Sequence, residues 1–296
     1  MQNLLFQYRG IDILSFAKTF PTEVQCKVYL SQYKWKDGFT CPKCGHQKHW
    51  KGRDQFSRSC ANCRHLDSCT ANTLFHKVKF GLVKAFMIVH EMSTTTKSIS
   101  ERAMGRKYDI TKDTAWLFMH KVRAAMSSQN EVLTGKVECS LSSKISQLKK
   151  REEGSKQAQN QIKNIRIVAA VQCQGRGISL QKAWVKLADQ KMKEILHKEI
   201  DENADIMTNN LSIRQLTEID PIETEKEKPQ LKRVERFTNG LINWIKGIHH
   251  AIGRKYCQHY LDEYCYRLNH HRQKDLLFDL TVQAMVAHPP RFYHKT

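Results

Sequence analysis

Long apolar runs are absent from this 296-residue chain, which argues against a membrane-spanning helix. The wholly apolar stretches are short, such as residues 85–89, whereas a membrane-spanning helix needs about 20 residues. Residues 1–20 mix Gln, Arg, Asp and Lys into their apolar positions, which is not the layout of a secretory signal. We therefore expect no membrane partner and a reducing cytoplasmic location.

Acidic residues are also scarce, because 29 Asp and Glu face 49 Lys and Arg, which gives a formal charge of +20. The excess is denser in residues 1–136, where 22 cations against 10 anions leave +12. Such a balance says little about the fold but favours a polyanionic partner, with nucleic acid ahead of an acidic membrane surface.

The ten cysteines come without a secretion signal, which argues against a disulfide framework in a chain of this size. Four of them form two C-x2-C pairs separated by fifteen residues. In this spacing two tight turns offer four thiolates to one Zn²⁺, so we assign a structural zinc to Cys41, Cys44, Cys60 and Cys63. We interpret the other six as small buried hydrophobic residues: Cys26, Cys69, Cys139, Cys173, Cys257 and Cys265.

Basic residues surround the cysteine pairs, with Trp50 and Phe56 between them. This mixture favours a nucleic-acid surface over a merely solvated face. A site of four cysteines has no open coordination position, so we expect the zinc to support folding and to take no part in catalysis. The predicted DNA contacts of this module are Lys43, Lys48, Lys51, Arg53, Arg58 and Arg64.

Helical spacing follows the cysteine module. A buried helix is predicted over 82–92, a second helix begins at Ser98 or Ser100, and a third begins near 109–111. Two short helices joined by a turn are the layout of a helix-turn-helix, whose second helix meets base edges with its first residues. A purely structural helical pair is the alternative. The predicted contacts are Lys112, Asp113 and Thr114 to bases, and Lys121 and Arg123 to phosphates.

The second half of the chain changes pattern. Residues 165–173 and 178–187 fit two paired strands across a glycine turn. We interpret two polar stretches, 142–164 and 218–232, as loops. The other elements are a helix at 191–200, a short strand at 205–208 and a long helix at 239–268 that is interrupted near Gly247 and Gly253. The sequence thus predicts an α+β multidomain protein whose C-terminal domain is mixed α/β.

Several stretches, taken in order, resemble one known family. The N-terminal half contains FPTEVQCKVYL, KWKDGFTCPKCG, FHKVKF, EMSTTTKSIS and DTAWLFMHKVRAAM, and residues 238–269 contain TNG and HYLDEYCYRLN. Together they resemble bacterial insertion-sequence transposases with an N-terminal zinc ribbon before an RNase H-like DDE domain. On this basis we divide the chain into a zinc ribbon at 11–78, a helix-turn-helix-like segment at 80–126, an RNase H-like domain at 136–269 and a C-terminal tail at 270–296.

The resemblance implies a two-metal mechanism, in which three carboxylates hold two divalent ions. The aligned positions here are Ser140, Asn209 and Ile242, and none is a carboxylate. Because nothing there would offset the charge of two Mg²⁺ ions, we expect no strand cleavage. An active enzyme that uses Mg²⁺ is the alternative, and it would need displaced carboxylates from Glu138, Asp205 and Glu235.

The leading hypothesis is therefore a transposase-related protein that binds double-stranded DNA but has lost its chemistry. It would act as a regulator or decoy, or be a decaying remnant, in the bacterial cytoplasm at the nucleoid. The resemblance also implies a homodimer or larger assembly. Two other hypotheses stay open: an active DDE-type transposase or nuclease, and an RNA-binding zinc-ribbon protein.

Overall fold

The computed structural model describes residues 7–95, 97–127, 131–147, 163–175, 177–217, 231–249 and 252–290. The chain divides into two compact units, one formed by Met1–Ser128 with Arg272–Thr296 and the other by Gln129–His271. Within the described residues, no helix combines the length and the apolarity that crossing a membrane requires.

The first unit holds a small antiparallel sheet among helices, and its sheet order is β1-β2-β3. Its helices supply most of its buried apolar side chains. The elements in chain order are α1 (Ile13–Thr19), α2 (Glu23–Lys34), β1 (His49–Lys51), β2 (Ser57–Cys60), β3 (Leu66–Ser68), α3 (Leu82–Thr94), α4 (Glu101–Tyr108), α5 (Lys112–Met126) and, from the end of the chain, α10 (Leu277–Ala287).

An aromatic cluster forms the core of the first unit. Phe278 of α10 lies 4.8 Å from the ring of Phe16 in α1 and 5.5 Å from the ring of Phe86 in α3. Burying side chains of this kind stabilises a fold by about 1.5–3 kcal/mol each. The range 270–296, expected to be a tail, therefore contributes a packed helix, because its apolar residues recur at helical spacing and meet the rings of α1 and α3.

The helices α4 and α5 begin at the predicted places, and each has a side-chain cap. Ser100 caps α4 by accepting the N–H of Ala103 at 3.3 Å, and Thr111 caps α5 by accepting the N–H of Thr114 at 3.2 Å. The turn between the helices passes close to Gly105, where an added Cβ would lie 2.9 Å from the carbonyl oxygen of Ile110. The glycine thus permits the close approach of the two helices.

The second unit is a mixed α/β layer structure around a four-stranded sheet of order β6-β5-β4-β7. The pairs β4–β5 and β5–β6 are antiparallel, and β7 runs parallel to β4. Its elements are β4 (Lys136–Gln147), β5 (Lys163–Gln174), β6 (Gly177–Val185), α6 (Asp189–Glu199), β7 (Asp205–Met207), α7 (Leu211–Thr217), α8 (Lys232–His249) and α9 (Cys257–Asn269).

The two faces of this sheet carry separate cores. Val137 and Cys139 of β4 face the core that includes α6 and α7. Side chains alternate along a strand, so Glu138 and Ser140 lie on the opposite face, where α8 and α9 pack. Positions two residues apart on β4 are therefore directed towards the same helices.

The predicted strand pair, the helix after it and the short strand are confirmed as β5, β6, α6 and β7. The loop predicted at 142–164 was wrong at its start, because β4 continues to Gln147 and Ile145 pairs in register with Ile165. Residues 148–162 and most of the loop predicted at 218–232 lie outside the described residues.

Candidate metal centre and nucleic-acid interface

Two backbone turns of the same form carry the four cysteines. In the first turn, the N–H of Cys41 donates to the carbonyl of His46 and the N–H of Gly45 donates to the carbonyl of Cys41, both at 2.9 Å. In the second turn, the N–H of Cys60 donates to His65 at 2.9 Å and the N–H of Arg64 donates to Cys60 at 3.0 Å. Each C-x2-C pair is therefore folded so that both thiols point to the same side of the turn.

The four sulfur atoms converge on one point. The Sγ atoms of Cys41 and Cys63 are 3.6 Å apart, those of Cys44 and Cys60 are 3.5 Å apart, and all four lie within 4.8 Å of one another. A tetrahedral Zn²⁺ with bonds of about 2.3 Å needs sulfur separations of about 3.8 Å. The geometry and the thiol chemistry of the donor set therefore fit a structural Zn²⁺.

The electrostatics of the turns help to hold the thiolates. A backbone N–H in each turn, that of His46 or of His65, donates to a cysteine sulfur and lowers the pKa of that thiol. With the neighbouring sulfurs included, the pKa of Cys44 falls to about 6 while that of Cys63 is raised by the three other thiols. Because a thiol binds zinc in its deprotonated form, these hydrogen bonds favour the state that ligates the metal. Four protein ligands complete the tetrahedron, so the ion has no open position for a substrate.

The six cations predicted around the cysteines do not share one environment. Arg58 is half-buried, and its guanidinium lies 4.3 Å from the centre of the Trp35 ring, which leaves it poorly placed for a phosphate. Phe56, expected at the surface, is buried. Trp50, in contrast, is 70% exposed. The exposed cations of the module are Lys43, Lys48, Lys51, Arg53 and Arg64.

The start of α5 is open to solvent, as a reading helix would require. Lys112 and Asp113 are exposed and Thr114 is partly exposed. Lys121 is half-buried and donates to the carbonyl oxygen of His76 at 3.2 Å, and burial lowers its pKa. Lys121 is therefore less accessible to a phosphate than Lys112, Asp113 and Thr114 are to bases.

The prediction that Arg123 contacts a phosphate was wrong. Its side chain is fully buried, and Nη1 lies 3.4 Å from Oε1 of Glu101 in α4. It joins α4 to α5 and does not reach a phosphate. The sequence carried the signal, because Arg123 follows Met119 by four residues and precedes Met126 by three, which places it on the buried face of α5.

The three positions that we predicted to align with catalytic carboxylates occupy distinct places in the second unit. Ser140 lies on β4, Asn209 follows the end of β7 beside it, and Ile242 lies in α8 among buried apolar residues. Among the residues whose side chains are described, the four cysteines are the one group of three or more His, Cys, Asp or Glu placed to hold a metal ion.

The carboxylates near these positions have other surroundings. Asp205 and Glu235 are exposed, whereas Glu138 is buried. One oxygen of Glu138 accepts the backbone N–H groups of Arg233 at 2.9 Å and Val234 at 3.0 Å, and the other lies 3.3 Å from the Arg233 guanidinium. Glu138 therefore satisfies the N-terminus of α8, a role that sequence analysis missed because residues 138 and 233 are far apart in the chain.

Two models of known protein families match parts of the chain. A family model described as the ISXO2-like transposase domain matches residues 134–269, and one described as the transposase zinc-ribbon domain matches residues 21–66. Neither a search of curated proteins nor a search of solved structures returned a match. The two domains in this order identify the chain as a member of the insertion-sequence transposases that carry an N-terminal zinc ribbon, a class of DNA-binding protein.

Proposed function

We propose that this protein binds duplex DNA through its zinc ribbon and the α4–α5 pair, and that it does not cut the DNA it binds. The observation that carries the proposal is the chemistry at Ser140, Asn209 and Ile242. Two are neutral oxygen ligands and the third is an aliphatic side chain, so the two-metal site of the family has no anionic ligand at these places.

Electrostatics explain why this loss matters. Two divalent ions about 4 Å apart repel one another by about 4 kcal/mol even at the dielectric constant of water, and by more inside a protein. Carboxylates normally offset this repulsion. Neutral oxygens from Ser140 and Asn209 supply no charge, and Ile242 adds only apolar surface.

The nearest buried carboxylate is already engaged. Both oxygens of Glu138 accept hydrogen bonds from α8, so binding a metal would leave the N–H groups of Arg233 and Val234 without their acceptor. This supports an inactive protein over an enzyme with displaced carboxylates. Asp205 and Glu235 are exposed, and neither joins a group of ligating side chains within the described part of the chain.

We also propose that the domain at 136–269 is RNase H-like and that α4 and α5 form a helix-turn-helix. The sheet order β6-β5-β4-β7, with β7 parallel to β4 and helices on both faces, supports an RNase H-like arrangement for the domain at 136–269. The capped pair α4–α5 supports a helix-turn-helix. A protein of this kind would occupy the ends of related elements without cutting them, and so act as a regulator or decoy. Self-association as a homodimer stays a prediction.

The first test asks which part of the chain binds DNA. Replacing Cys41 or Cys60 by Ser should remove the zinc and abolish the shift of a duplex carrying element ends, because the ribbon loses a ligand. Replacing Ser140 or Asn209 by Ala should leave that shift nearly unchanged. Zinc content is measured for each variant by atomic absorption.

A restoration experiment checks the assigned positions. The triple variant Ser140→Asp, Asn209→Asp, Ile242→Glu should bind Mn²⁺, seen by titration calorimetry, whereas the wild type should not bind it in the second unit. Circular dichroism must first show that the variant is folded, because position 242 lies in an apolar core. Mn²⁺ binding by the wild type that disappears in Glu138→Gln would overturn the proposal.

A further inference from the structure

The sheet of the zinc ribbon has one face that is covered within its own unit. Arg58 stacks on Trp35 just after α2, the ring of His49 lies 5.1 Å from that of Phe39, and Asp67 pairs with Lys34 of α2 at 2.7 Å. Paired residues of an antiparallel sheet point to the same side, so this face is turned towards α2. Over β2 and β3 this face is therefore occupied within its own unit, and only its edge on β1, at His49 and Lys51, is exposed.

The opposite face, which we call the outer face, consists of Trp50, Ser59 and Leu66. These residues stand directly opposite one another on β1, β2 and β3. Trp50 is 70% exposed and Leu66 is 39% exposed. Gly52 lies beside them. A Cβ at position 52 would lie 2.3 Å from Oγ of Ser57, so the fold leaves no room for a side chain there. The outer face therefore has no side chain at position 52, and the indole ring of Trp50 lies on its edge strand.

Positive charge borders the outer face. Lys48 precedes Trp50 by two residues and falls on the same side, and the N–H of Ala61 continues the ladder by donating to the Lys48 carbonyl at 3.1 Å. Arg53, two residues after β1, and Arg64, two residues before β3, are also exposed. Asp54 lies in the same hairpin, where its carboxylate accepts the N–H of Phe56 at 2.9 Å. An exposed aromatic ring inside a basic border is the composition of a surface that stacks on nucleobases.

We propose that the outer face binds an unpaired base of DNA, with Trp50 stacking on the base and Lys48, Arg53 and Arg64 contacting the adjoining phosphates. This rests on the proposed DNA binding and adds the kind of DNA that the ribbon prefers. In a paired duplex both faces of each base are covered by its neighbours, so an exposed indole gains a stacking partner only where the strand is single or locally open. The basic border argues for a polyanion over an apolar protein partner.

The experiment compares three fluorescein-labelled probes: a perfectly paired duplex, the same duplex with a three-nucleotide unpaired bubble, and the single strand. The three probes share one sequence that is not a specific target site. The wild type should bind the bubble and the single strand more tightly than the paired duplex. Trp50→Ala should weaken binding to the bubble and to the single strand by about tenfold and leave binding to the duplex unchanged. The slope of affinity against salt should also stay unchanged, because stacking releases no counterions.

Matched variants keep the result interpretable. Leu14→Ala removes an apolar side chain of the same 70% exposure from α1 and should change no affinity. Trp50→Phe should retain most of the preference for the bubble, and zinc content confirms that the ribbon is folded. If Trp50→Ala binds the bubble as tightly as the wild type, or loses duplex and bubble binding equally, the stacking proposal is wrong. If the wild type binds none of the probes, the proposed DNA binding itself fails.

Discussion

Gly45 and Arg64 occupy equivalent places in the two cysteine turns, and both have a left-handed backbone, with φ of +73° and +57°. The spacing of the cysteines was sufficient to predict the zinc site, because a C-x2-C pair has few ways to present two sulfurs to one ion. It did not reveal that the second turn holds an arginine in a conformation that costs roughly 1 kcal/mol outside glycine.

Replacing Arg64 by Gly should therefore stabilise the zinc-bound ribbon by up to about 1 kcal/mol. The control is Arg64→Ala, which removes the same cation but keeps a Cβ in the left-handed conformation. Competition for zinc against a chromophoric chelator measures both. Equal zinc affinity for the two variants would show that the backbone of this turn carries no strain.

Exposure of individual side chains was the other residue-scale property that could not be predicted well from the sequence. Arg58 and Arg123 were both expected at phosphates, yet one stacks on Trp35 and the other pairs with Glu101. A count of cations cannot distinguish these two residues from the exposed Lys48 and Lys112. Whether a cation is exposed depends on whether a neighbouring element brings a ring or a carboxylate next to it.

At the scale of elements, helical and strand periods predicted most helices and strands of the second unit. The contact between β4 and the N-terminus of α8 was not predictable, because it joins one buried carboxylate to backbone N–H groups about a hundred positions away. Glu138 is thus a helix cap supplied by a strand, placed two residues before the first aligned catalytic position.

Replacing Glu138 by Ala should lower the free energy of unfolding by about 3 kcal/mol, because the buried N–H of Val234, the half-buried N–H of Arg233 and the Arg233 guanidinium lose their acceptor. Glu235→Ala, an exposed carboxylate in the same helix, should cost about 0.5 kcal/mol. Urea unfolding of the full chain gives both values. An equally small effect of the two variants would contradict the capping role.

At the scale of the whole molecule, the first unit contains both ends of the chain. Tyr29 and Tyr33 of α2 donate to Oδ1 of Asp279 in α10, and Gln283 donates to Oδ2 at 2.8 Å. The apolar period of α10 can be read in the sequence. Its partner cannot, because sequence pattern alone does not link residues some 250 positions apart.

Asp279→Ala should lower the free energy of unfolding of the first unit by about 3 kcal/mol, since two buried tyrosine hydroxyls and the half-buried amide of Gln283 lose one carboxylate. Asp275→Ala changes an exposed side chain nearby and should leave stability within about 0.5 kcal/mol. Thermal unfolding followed by circular dichroism compares them. If both variants melt like the wild type, the hydrogen bonds of Asp279 do not contribute to the stability of the first unit.

The central claim is that this transposase family member still binds DNA but cannot cut it. One measurement tests it most directly: the wild-type protein, loaded with zinc, is mixed with supercoiled plasmid carrying the element ends in Mg²⁺ or Mn²⁺, and retardation and nicking are scored in the same reaction. We predict retardation of the plasmid with no metal-dependent nicking above the protein-free control. Nicking that requires the divalent ion and disappears in Glu138→Gln or Asp205→Asn would contradict the account.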